Sequence, residues 1–246
     1  MKLQRLDQFL AARGYGSRKE TTALVKAGLV QVNGVREQRS DRKIDIETDC
    51  VAVRGERVKM EEFVYYMLHK PRGVISASRD PKMLTALDLL PKELRRPGLF
   101  PAGRLDKDST GLLLVTNDGA LAHALLSPRR HVEKRYHVTL AASAEDADVA
   151  AFAAGMRLPP ADGHPPEDCA PAELRVLQGK QAEVVLREGK YHQIRRMFAA
   201  RGNEVLALHR FAFGALYLEE SLVAGACRPL TADEMEAMKA AYDATT

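Results

Sequence analysis

The first part of the chain places its apolar residues at helical spacing. Leu6, Phe9 and Leu10 lie on one face of a predicted short helix, and Leu24 and Val25 point inward from a second one. Cations lie on the outward faces of both helices. The pattern therefore predicts two short amphipathic helices with a basic outer surface.

Cap and turn signals mark the ends of these elements. Ser17 and Glu20 form a capping box, which predicts the start of the second helix. Gly14 is expected to end the first helix, and Gly28 the second. The period then changes to strand alternation, and Asn33-Gly34 is a strong hairpin signal. The strands predicted in this part are residues 30–32, 44–46 and 51–53.

From Phe63 onward, predicted strands alternate with helices. The strands are residues 64–68, 112–116, 136–140 and 181–186. The helices are residues 120–126, 143–156 at the surface, and 194–200. Two proline-rich stretches, 80–101 and 159–171, are expected to be loops, the first with a short helix. Without regular βαβ spacing or a glycine-rich phosphate loop, this mixture favours an α+β fold over a doubly wound sheet.

Positive charge is concentrated at the amino-terminal end. Residues 1–59 contain 13 lysines and arginines against 8 acidic residues, a net charge of +5, whereas the remainder carries −1. This split predicts a small polyanion-binding module at residues 1–59 and a larger, nearly neutral domain at 60–246. An ordinary solvated basic surface is the alternative.

Several classes of protein are disfavoured by composition. No uninterrupted apolar run approaches membrane-spanning length and the first residues lack a signal-peptide core, so we expect a cytoplasmic protein without a membrane partner. Cys50, Cys169 and Cys227 are widely spaced and predict neither a disulfide framework nor a zinc site.

The most informative segment is residues 103–119, which read GRLDKDSTGLLLVTNDG. It puts Arg104 and Asp106 on a loop that enters a buried strand, where scaffolds commonly display reactive groups. A turn cap or a surface ion pair is the structural alternative for Asp106. A calcium loop is excluded because Asn117 stands where an EF-hand requires glutamate.

This segment resembles the catalytic motif of the RNA pseudouridine synthases, in the branch called RsuA. Three further motifs appear in the family's order: KPRGV at 70–74, EKRY at 133–136 and GKYHQIRRMF at 189–198. The two helices and the hairpin at the amino-terminal end resemble the RNA-binding module named after ribosomal protein S4. The resemblance implies a mixed, mainly antiparallel sheet with helices around a central cleft.

The resemblance also implies roles for individual residues. Asp106 corresponds to the catalytic carboxylate, and Tyr136 to the active-site tyrosine, which offers a flat face for uracil and a hydroxyl. Arg195 corresponds to the basic residue of the third motif and should keep Asp106 ionised. Isomerising uridine oxidises nothing and adds nothing, so we expect no cofactor and no metal site.

A set of basic side chains is expected to contact RNA. In the amino-terminal module, the predicted phosphate contacts are Arg5, Arg18, Lys19 and Lys26. In the larger domain, the predicted RNA contacts are Arg104, Lys190, His192 and Arg196.

Residues 127–131 and 189–193 resemble the small-subunit (16S) enzyme more closely than its 23S relatives. The sequence thus predicts a monomer that converts one uridine of 16S ribosomal RNA to pseudouridine, in a precursor or an assembly particle. A 23S pseudouridine synthase and a non-catalytic RNA-binding assembly protein are the alternatives. A metal-dependent hydrolase is disfavoured because the chain lacks a plausible ligand set.

Overall fold

A computed structural model describes residues 3–243 except 14, 47, 59–62, 128 and 129. The chain divides into two compact units, Met1–Phe63 with Arg96–Gly98, and Val64–Arg95 with Leu99–Thr246. The boundary predicted between residues 59 and 60 lies outside the described residues. In the described ranges, no helix combines the length and the apolar character that crossing a membrane requires.

The first unit consists of two helices and two small antiparallel sheets. Its helices are α1 (Leu6–Ala12) and α2 (Arg18–Lys26). Its strands are β1 (Leu3–Arg5), β2 (Val30–Val32), β3 (Val35–Arg36), β4 (Lys43–Asp45), β5 (Val51–Val53) and β6 (Glu56–Arg57). β1 pairs with β4, and the other four strands form a sheet in the order β3-β2-β5-β6. The apolar residues predicted for the two helices, such as Phe9 and Val25, meet in one core with the strands.

Local signals explain where these elements begin and end. The capping box of Ser17 and Glu20 is present at the start of α2, as predicted. Asn33 and Gly34 have φ values of +54° and +80°, which is the conformation of the tight hairpin turn between β2 and β3. Gly28, with φ +68°, follows α2. Gly14, predicted to end α1, lies outside the described residues.

The second unit is built on a nine-stranded sheet. Its helices are α3 (Gly119–Leu126), α4 (Asp146–Ala154), α5 (Gln193–Ala200) and α6 (Ala232–Asp243), with 3-10 turns at Ala86–Leu89 and Lys92–Leu94. The first five strands are β7 (Tyr65–Lys70), β8 (Phe100–Ala102), β9 (Thr110–Thr116), β10 (Lys134–Leu140) and β11 (Met156–Leu158). The remaining strands are β12 (Glu167–Cys169), β13 (Glu173–Val176), β14 (Gln181–Leu186), β15 (Val205–Phe213), β16 (Leu216–Tyr217) and β17 (Cys227–Pro229).

The strand order of this sheet is β13-β14-β10-β15-β9-β7-β17, with β16 beside β15 and β8 beside β9. Among the described pairings of the sheet, β15 with β9 is parallel and the others are antiparallel. The predicted mixed, mainly antiparallel sheet in an α+β fold is therefore confirmed. β11 and β12 form a separate hairpin.

Helices cover both faces of this sheet. Leu113 and Val115 of β9 belong to an apolar cluster that also contains residues of α4 and α5. Leu112 and Leu114, pointing the other way, belong to a second cluster that contains residues of α3 and α6. A strand buried on both faces needs apolar residues at successive positions, which explains the uninterrupted run in β9.

Some elements differ from the sequence prediction. The helix predicted at 143–156 is the shorter α4, and it is not a pure surface helix because Phe152 and Asp148 are buried. The loop predicted at 159–171 contains strand β12, and the loop predicted at 80–101 ends in strand β8. These strands are three residues long, which is too short for an alternating pattern to stand out.

Candidate active site

The segment between β8 and β9 presents Asp106 at the start of the apolar strand β9. The Asp106 side chain is 32% exposed, whereas Leu105 is buried. Ser109 closes the turn by donating its backbone N–H to the carbonyl of Asp106 over 3.0 Å. Gly111 has φ +109°, and a Cβ there would collide with the backbone of Arg210 on β15. A glycine is therefore required for β9 and β15 to approach each other beside this loop.

A buried lysine binds this loop from within the protein. Lys70, the last residue of β7, is 0% exposed, and its Nζ donates to the carbonyl oxygens of Lys107 and Ser109 over 3.3 and 2.7 Å. Burial lowers the pKa of Lys70 to about 8, and the carboxylates of Asp106 and Asp108 oppose that shift. One ammonium group thus holds the backbone that follows Asp106.

The backbone before Asp106 is held by a serine. The Ser76 hydroxyl accepts the N–H of Leu105 and donates to the carbonyl of Leu105, both over 2.9 Å. The N–H of Gly73 donates to the carbonyl of Lys107 over 2.8 Å. Residues 70–76 therefore fix the loop on both sides of Asp106, and this contact explains why the KPRGV motif accompanies the aspartate motif.

Two basic side chains from the third motif face the Asp106 carboxylate. Arg195, on α5, places Nε 3.9 Å from Oδ2, and its Nη1 donates to the carbonyl of Val205 over 3.0 Å. His192, which precedes α5, places Nε2 3.6 Å from Oδ1. The structure thus brings together Asp106, Arg195 and His192. The sequence predicts His192 as a structural or RNA-contacting residue, because spacing along the chain does not reveal that it faces Asp106.

Tyr136 lies on β10 and is 8% exposed. It belongs to the same apolar cluster as Leu105 and Ile194, which directly precede Asp106 and Arg195 in the chain. Within the described residues, its hydroxyl makes no hydrogen bond. Packing in this cluster therefore fixes the orientation of the ring.

Arg196, predicted from the sequence as an RNA contact, is buried and ion-paired in the structure. Its side chain is 3% exposed, and Nη1 lies 2.7 Å from Glu167 Oε1. The guanidinium also donates to the carbonyl oxygens of Pro159, Pro165 and Tyr191 over 2.8, 3.1 and 3.2 Å. A planar group with several fixed donors suits this role. Arg196 therefore joins the β11–β12 hairpin to the turn before α5.

The same hairpin brings further polar residues to the site. Lys190 Nζ lies 3.2 Å from Glu167, so this predicted RNA contact is ion-paired and 26% exposed. Asp162, in the connection between β11 and β12, places Oδ2 3.8 Å from His192 Nδ1 and accepts the hydroxyl of Tyr191 over 3.0 Å. The proline-rich composition of this stretch predicted only a loop. The contacts of Asp162 with Tyr191 and His192 depend on the fold, and no local pattern in the sequence indicates them.

The predicted contacts of the amino-terminal unit fall into two pairs. Arg5 and Arg18 both bind Asp7, with shortest N–O distances of 2.9 and 3.1 Å, and Asp7 is 2% exposed. The hydrogen bond from Arg5 is the largest cause that lowers the pKa of Asp7 to about 2. Lys19 and Lys26 are exposed on α2. The two arginines thus have a structural partner, whereas the two lysines extend into solvent.

Two further observations complete the site. Arg104 is exposed. The hydrogen bond to Asp162 raises the pKa of the Tyr191 hydroxyl, and the charge of the nearby Arg104 opposes that rise. In the part of the chain that the structure describes, no group of three or more histidine, cysteine or acidic side chains is arranged to hold a metal ion.

A model of the family described as RNA pseudouridylate synthase matches residues 64–200, which is more than half of the chain. The chain belongs to the RNA pseudouridylate synthase family. In this pseudouridylate synthase, the matched range contains the aspartate loop, β10 and α5. A second model, of the S4 domain, matches residues 4–49. Both resemblances identified in the sequence are therefore confirmed.

Relatives of this pseudouridylate synthase cover nearly the whole chain. An RNA pseudouridine synthase of Bacillus subtilis, named as uncharacterised, is 43% identical over 94% of this chain and 96% of its own length. The ribosomal small subunit pseudouridine synthase A of Vibrio cholerae is 40% identical over 94% of this chain and 97% of its own length. A crystal structure of a pseudouridylate synthase matches with a TM-score of 0.67 and 37% identity over 95% of this chain and 99% of that one.

Proposed function

We propose that this pseudouridylate synthase converts one uridine of 16S ribosomal RNA to pseudouridine, with Asp106 as the catalytic carboxylate. The observation that carries this proposal is the Asp106 loop. Its backbone is held by Lys70 and Ser76, and its carboxylate faces Arg195 and His192. A pre-organised carboxylate beside a fixed cation is suited to act on the ribose of a bound nucleotide.

The reaction is an isomerisation within one nucleotide. The bond between ribose C1′ and uracil N1 breaks, the base rotates, and a bond forms between C1′ and C5. The proton lost from C5 is balanced by the one gained at N1, so neither an oxidant nor a second substrate is consumed. Asp106 acts at the sugar, either as a nucleophile on C1′ or as a base that removes a ribose proton. Holding the detached base in place allows it to recombine.

Three other side chains have proposed roles. Arg195 orients the Asp106 carboxylate, which the 3.9 Å approach of its Nε supports. Tyr136 provides a ring against which uracil stacks and a hydroxyl for proton transfer, and its unengaged hydroxyl supports this role. Arg104, which is exposed beside the aspartate, holds RNA phosphate or fills the space left by the extruded nucleotide.

The proposal of 16S ribosomal RNA as substrate draws on the relatives. Proteins named ribosomal small subunit pseudouridine synthase A are 38–40% identical to this chain over at least 94% of its length. We further propose that residues 1–59 form the RNA-binding module and residues 60–246 the catalytic domain. The enzyme then acts as a monomer on small-subunit precursor RNA or an assembly particle, in the cytoplasm where that RNA is made.

Pseudouridine mapping tests this function directly. The full chain is incubated with unmodified transcripts of 16S and 23S ribosomal RNA, and both are mapped alongside RNA from cells that lack the gene. We expect one new pseudouridine in the 16S transcript and the loss of the same one in the cells. Modification of the 23S transcript alone would reassign the substrate, and modification of neither RNA would favour the non-catalytic alternative.

A further inference from the structure

Three aromatic rings form a column that begins beside Asp106. The imidazole of His192, whose Nε2 is 3.6 Å from Asp106, stacks on Tyr191 with 3.9 Å between ring centroids and 20° between planes. Tyr191 in turn stacks on His164 at 4.0 Å and 11°. The rings are nearly parallel and at stacking distance, although His164 comes from a different segment of the chain. The column therefore extends outward from the candidate catalytic carboxylate.

The middle and inner rings are tied to one acidic residue. Asp162 accepts the hydroxyl of Tyr191 over 3.0 Å, and the same oxygen lies 3.8 Å from His192 Nδ1. Asp162 and His192 have φ values of +45° and +46°, in a region that residues other than glycine seldom adopt. Uncommon backbone conformations persist where the surrounding structure enforces them, and they cluster at binding sites.

The buried guanidinium of Arg196 holds the two halves of the column together. It donates to the carbonyls of Pro159 and Pro165, which flank Asp162 and His164, and to the carbonyl of Tyr191. The segment that supplies the outer ring is thereby fixed to the turn that supplies the other two. A platform fixed before binding loses less conformational entropy when a ligand stacks on it.

The outer end of the column is open. His164 is exposed, and within the described residues Tyr191 is the one aromatic ring that stacks on it. A flat ligand can therefore continue the column on the free face of His164. Unpaired RNA bases are recognised by stacking on aromatic side chains, including histidine, and each such stack contributes roughly 1–3 kcal/mol.

We infer that the column of His164, Tyr191 and His192 is a subsite for an unpaired base that flanks the target uridine, with that base stacking on His164. The inference rests on the proposed function, because it takes the target uridine to be the nucleotide bound at Asp106. It adds a contact that selects an unpaired neighbouring nucleotide. The hydrogen bond between the Tyr191 hydroxyl and Asp162 positions the column, and the stacked base contacts His164 alone.

Substitutions of His164 test the subsite, since this exposed side chain can change without disturbing the core. His164→Ala removes the ring, His164→Phe keeps a flat ring, and His164→Leu keeps bulk without one. His123→Ala removes an exposed histidine from α3 and is the matched control. The measurements are the dissociation constant and KM for unmodified 16S transcript, the single-turnover rate at saturation, and the thermal unfolding midpoint.

We expect His164→Ala and His164→Leu to weaken binding and raise KM by roughly 5- to 150-fold, the equivalent of one lost stack. The saturating rate and the unfolding midpoint should stay unchanged, and His164→Phe and His123→Ala should match the wild type. The subsite would be overturned if all His164 variants bound RNA with the affinity of the wild type. It would also be overturned if His164→Phe bound RNA as weakly as His164→Ala.

A second arm identifies the base. In a fragment around the mapped uridine, each flanking nucleotide is replaced by an abasic one, and binding to wild type and His164→Ala is compared. One abasic position should weaken binding to the wild type but add little to the His164→Ala defect, because both changes remove the same contact. Fully additive losses at every position would overturn the inference. A wild type that modifies no RNA would instead overturn the proposed function itself.

Discussion

Lys70 lies under the loop that carries Asp106, and its Nζ donates to the carbonyl oxygen of Ser109 over 2.7 Å. This lysine has no exposed side-chain surface, and burial lowers its pKa to about 8. A buried ammonium costs free energy, so the loop carbonyls that it binds must offset that cost. The arrangement joins the first sequence motif to the second through the backbone and does not involve the Asp106 carboxylate.

Replacing this lysine should therefore damage catalysis more than RNA affinity. In Lys70→Met, the carbonyls of Lys107 and Ser109 lose their donor, and the loop can shift. We expect the saturating single-turnover rate to fall roughly 10- to 100-fold, because small displacements of a catalytic group have effects of that size. Lys180→Met, at an exposed position of the same unit, is the control. Equal rates for the two variants would contradict this role.

The shifted pKa of Lys70 also predicts a pH dependence of stability. Between pH 8 and 10.5 the unfolded state binds more protons at Lys70 than the folded state, because the folded pKa is the lower one. The contribution of Lys70 to the free energy of unfolding should therefore rise with pH across that window. Denaturant unfolding of wild type and Lys70→Met at pH 8 and pH 10 measures the difference. The rise should be smaller in the variant.

Asp106→Asn should abolish pseudouridine formation. The substitution keeps size and most hydrogen bonding, but it removes the nucleophile or base, so the rate should fall by roughly 10⁴-fold or more. Asp108→Asn removes the same charge two residues further along the loop, where the side chain is 61% exposed, and should remain active. Single-turnover assays with 16S transcript compare the two variants. If Asp106→Asn binds RNA normally and still forms product well above background, Asp106 is not the catalytic carboxylate.

Local patterns in this chain revealed motifs and caps but not the contacts between segments. The capping box at Ser17 and the hairpin at Asn33-Gly34 follow from neighbouring residues, and both are present. Arg196 carries the same charge as Arg195, but Arg196 is buried against the β11–β12 hairpin whereas Arg195 faces Asp106. Adjacent helix positions point in different directions, so only the tertiary structure separates their roles.

The same limit applies to the candidate site. Asp106 stood out because its charged loop precedes an apolar run, and Tyr136 and Arg195 followed from the resemblance. Asp162 and His164 lie in a stretch whose prolines predict a loop, and nothing local indicates that this loop meets Tyr191. Lys70 ends an apolar strand, where the sequence gives no sign that its side chain turns back under another loop.

The ion pairs of Asp7 predict how the amino-terminal unit responds to acid. The pKa of Asp7 is about 2 in the folded state, below its ordinary value of 3.8, so its stabilising contribution is complete above pH 4 and is lost as pH falls toward 2. That contribution is on the order of 2 kcal/mol. Thermal unfolding from pH 5 to pH 2 should show a steeper loss for wild type than for Asp7→Asn. Parallel curves would contradict the assignment.

The two lysines on α2 should set the salt dependence of RNA binding. Lys19 and Lys26 are exposed, whereas Arg5 and Arg18 are engaged by Asp7. Each phosphate contact contributes roughly 0.7 to 0.9 to the log–log slope of affinity against salt, so Lys19→Ala with Lys26→Ala should flatten the slope by about 1.4 to 1.8. The single-turnover rate on saturating RNA should change little, because the proposed catalytic residues lie in the other unit.

A matched pair separates this effect from a general loss of charge. Arg36→Ala with Arg57→Ala makes the same change in net charge on β3 and β6, the edge strands of the small sheet, where both side chains are exposed. Binding to 16S transcript is measured over a salt series for wild type and both double variants. If only the Lys19→Ala, Lys26→Ala variant has a flatter salt slope, the phosphate contacts belong to helix α2. A general electrostatic attraction would be weakened equally by either double variant. Equal flattening in both would mean that net charge and not helix α2 attracts the RNA.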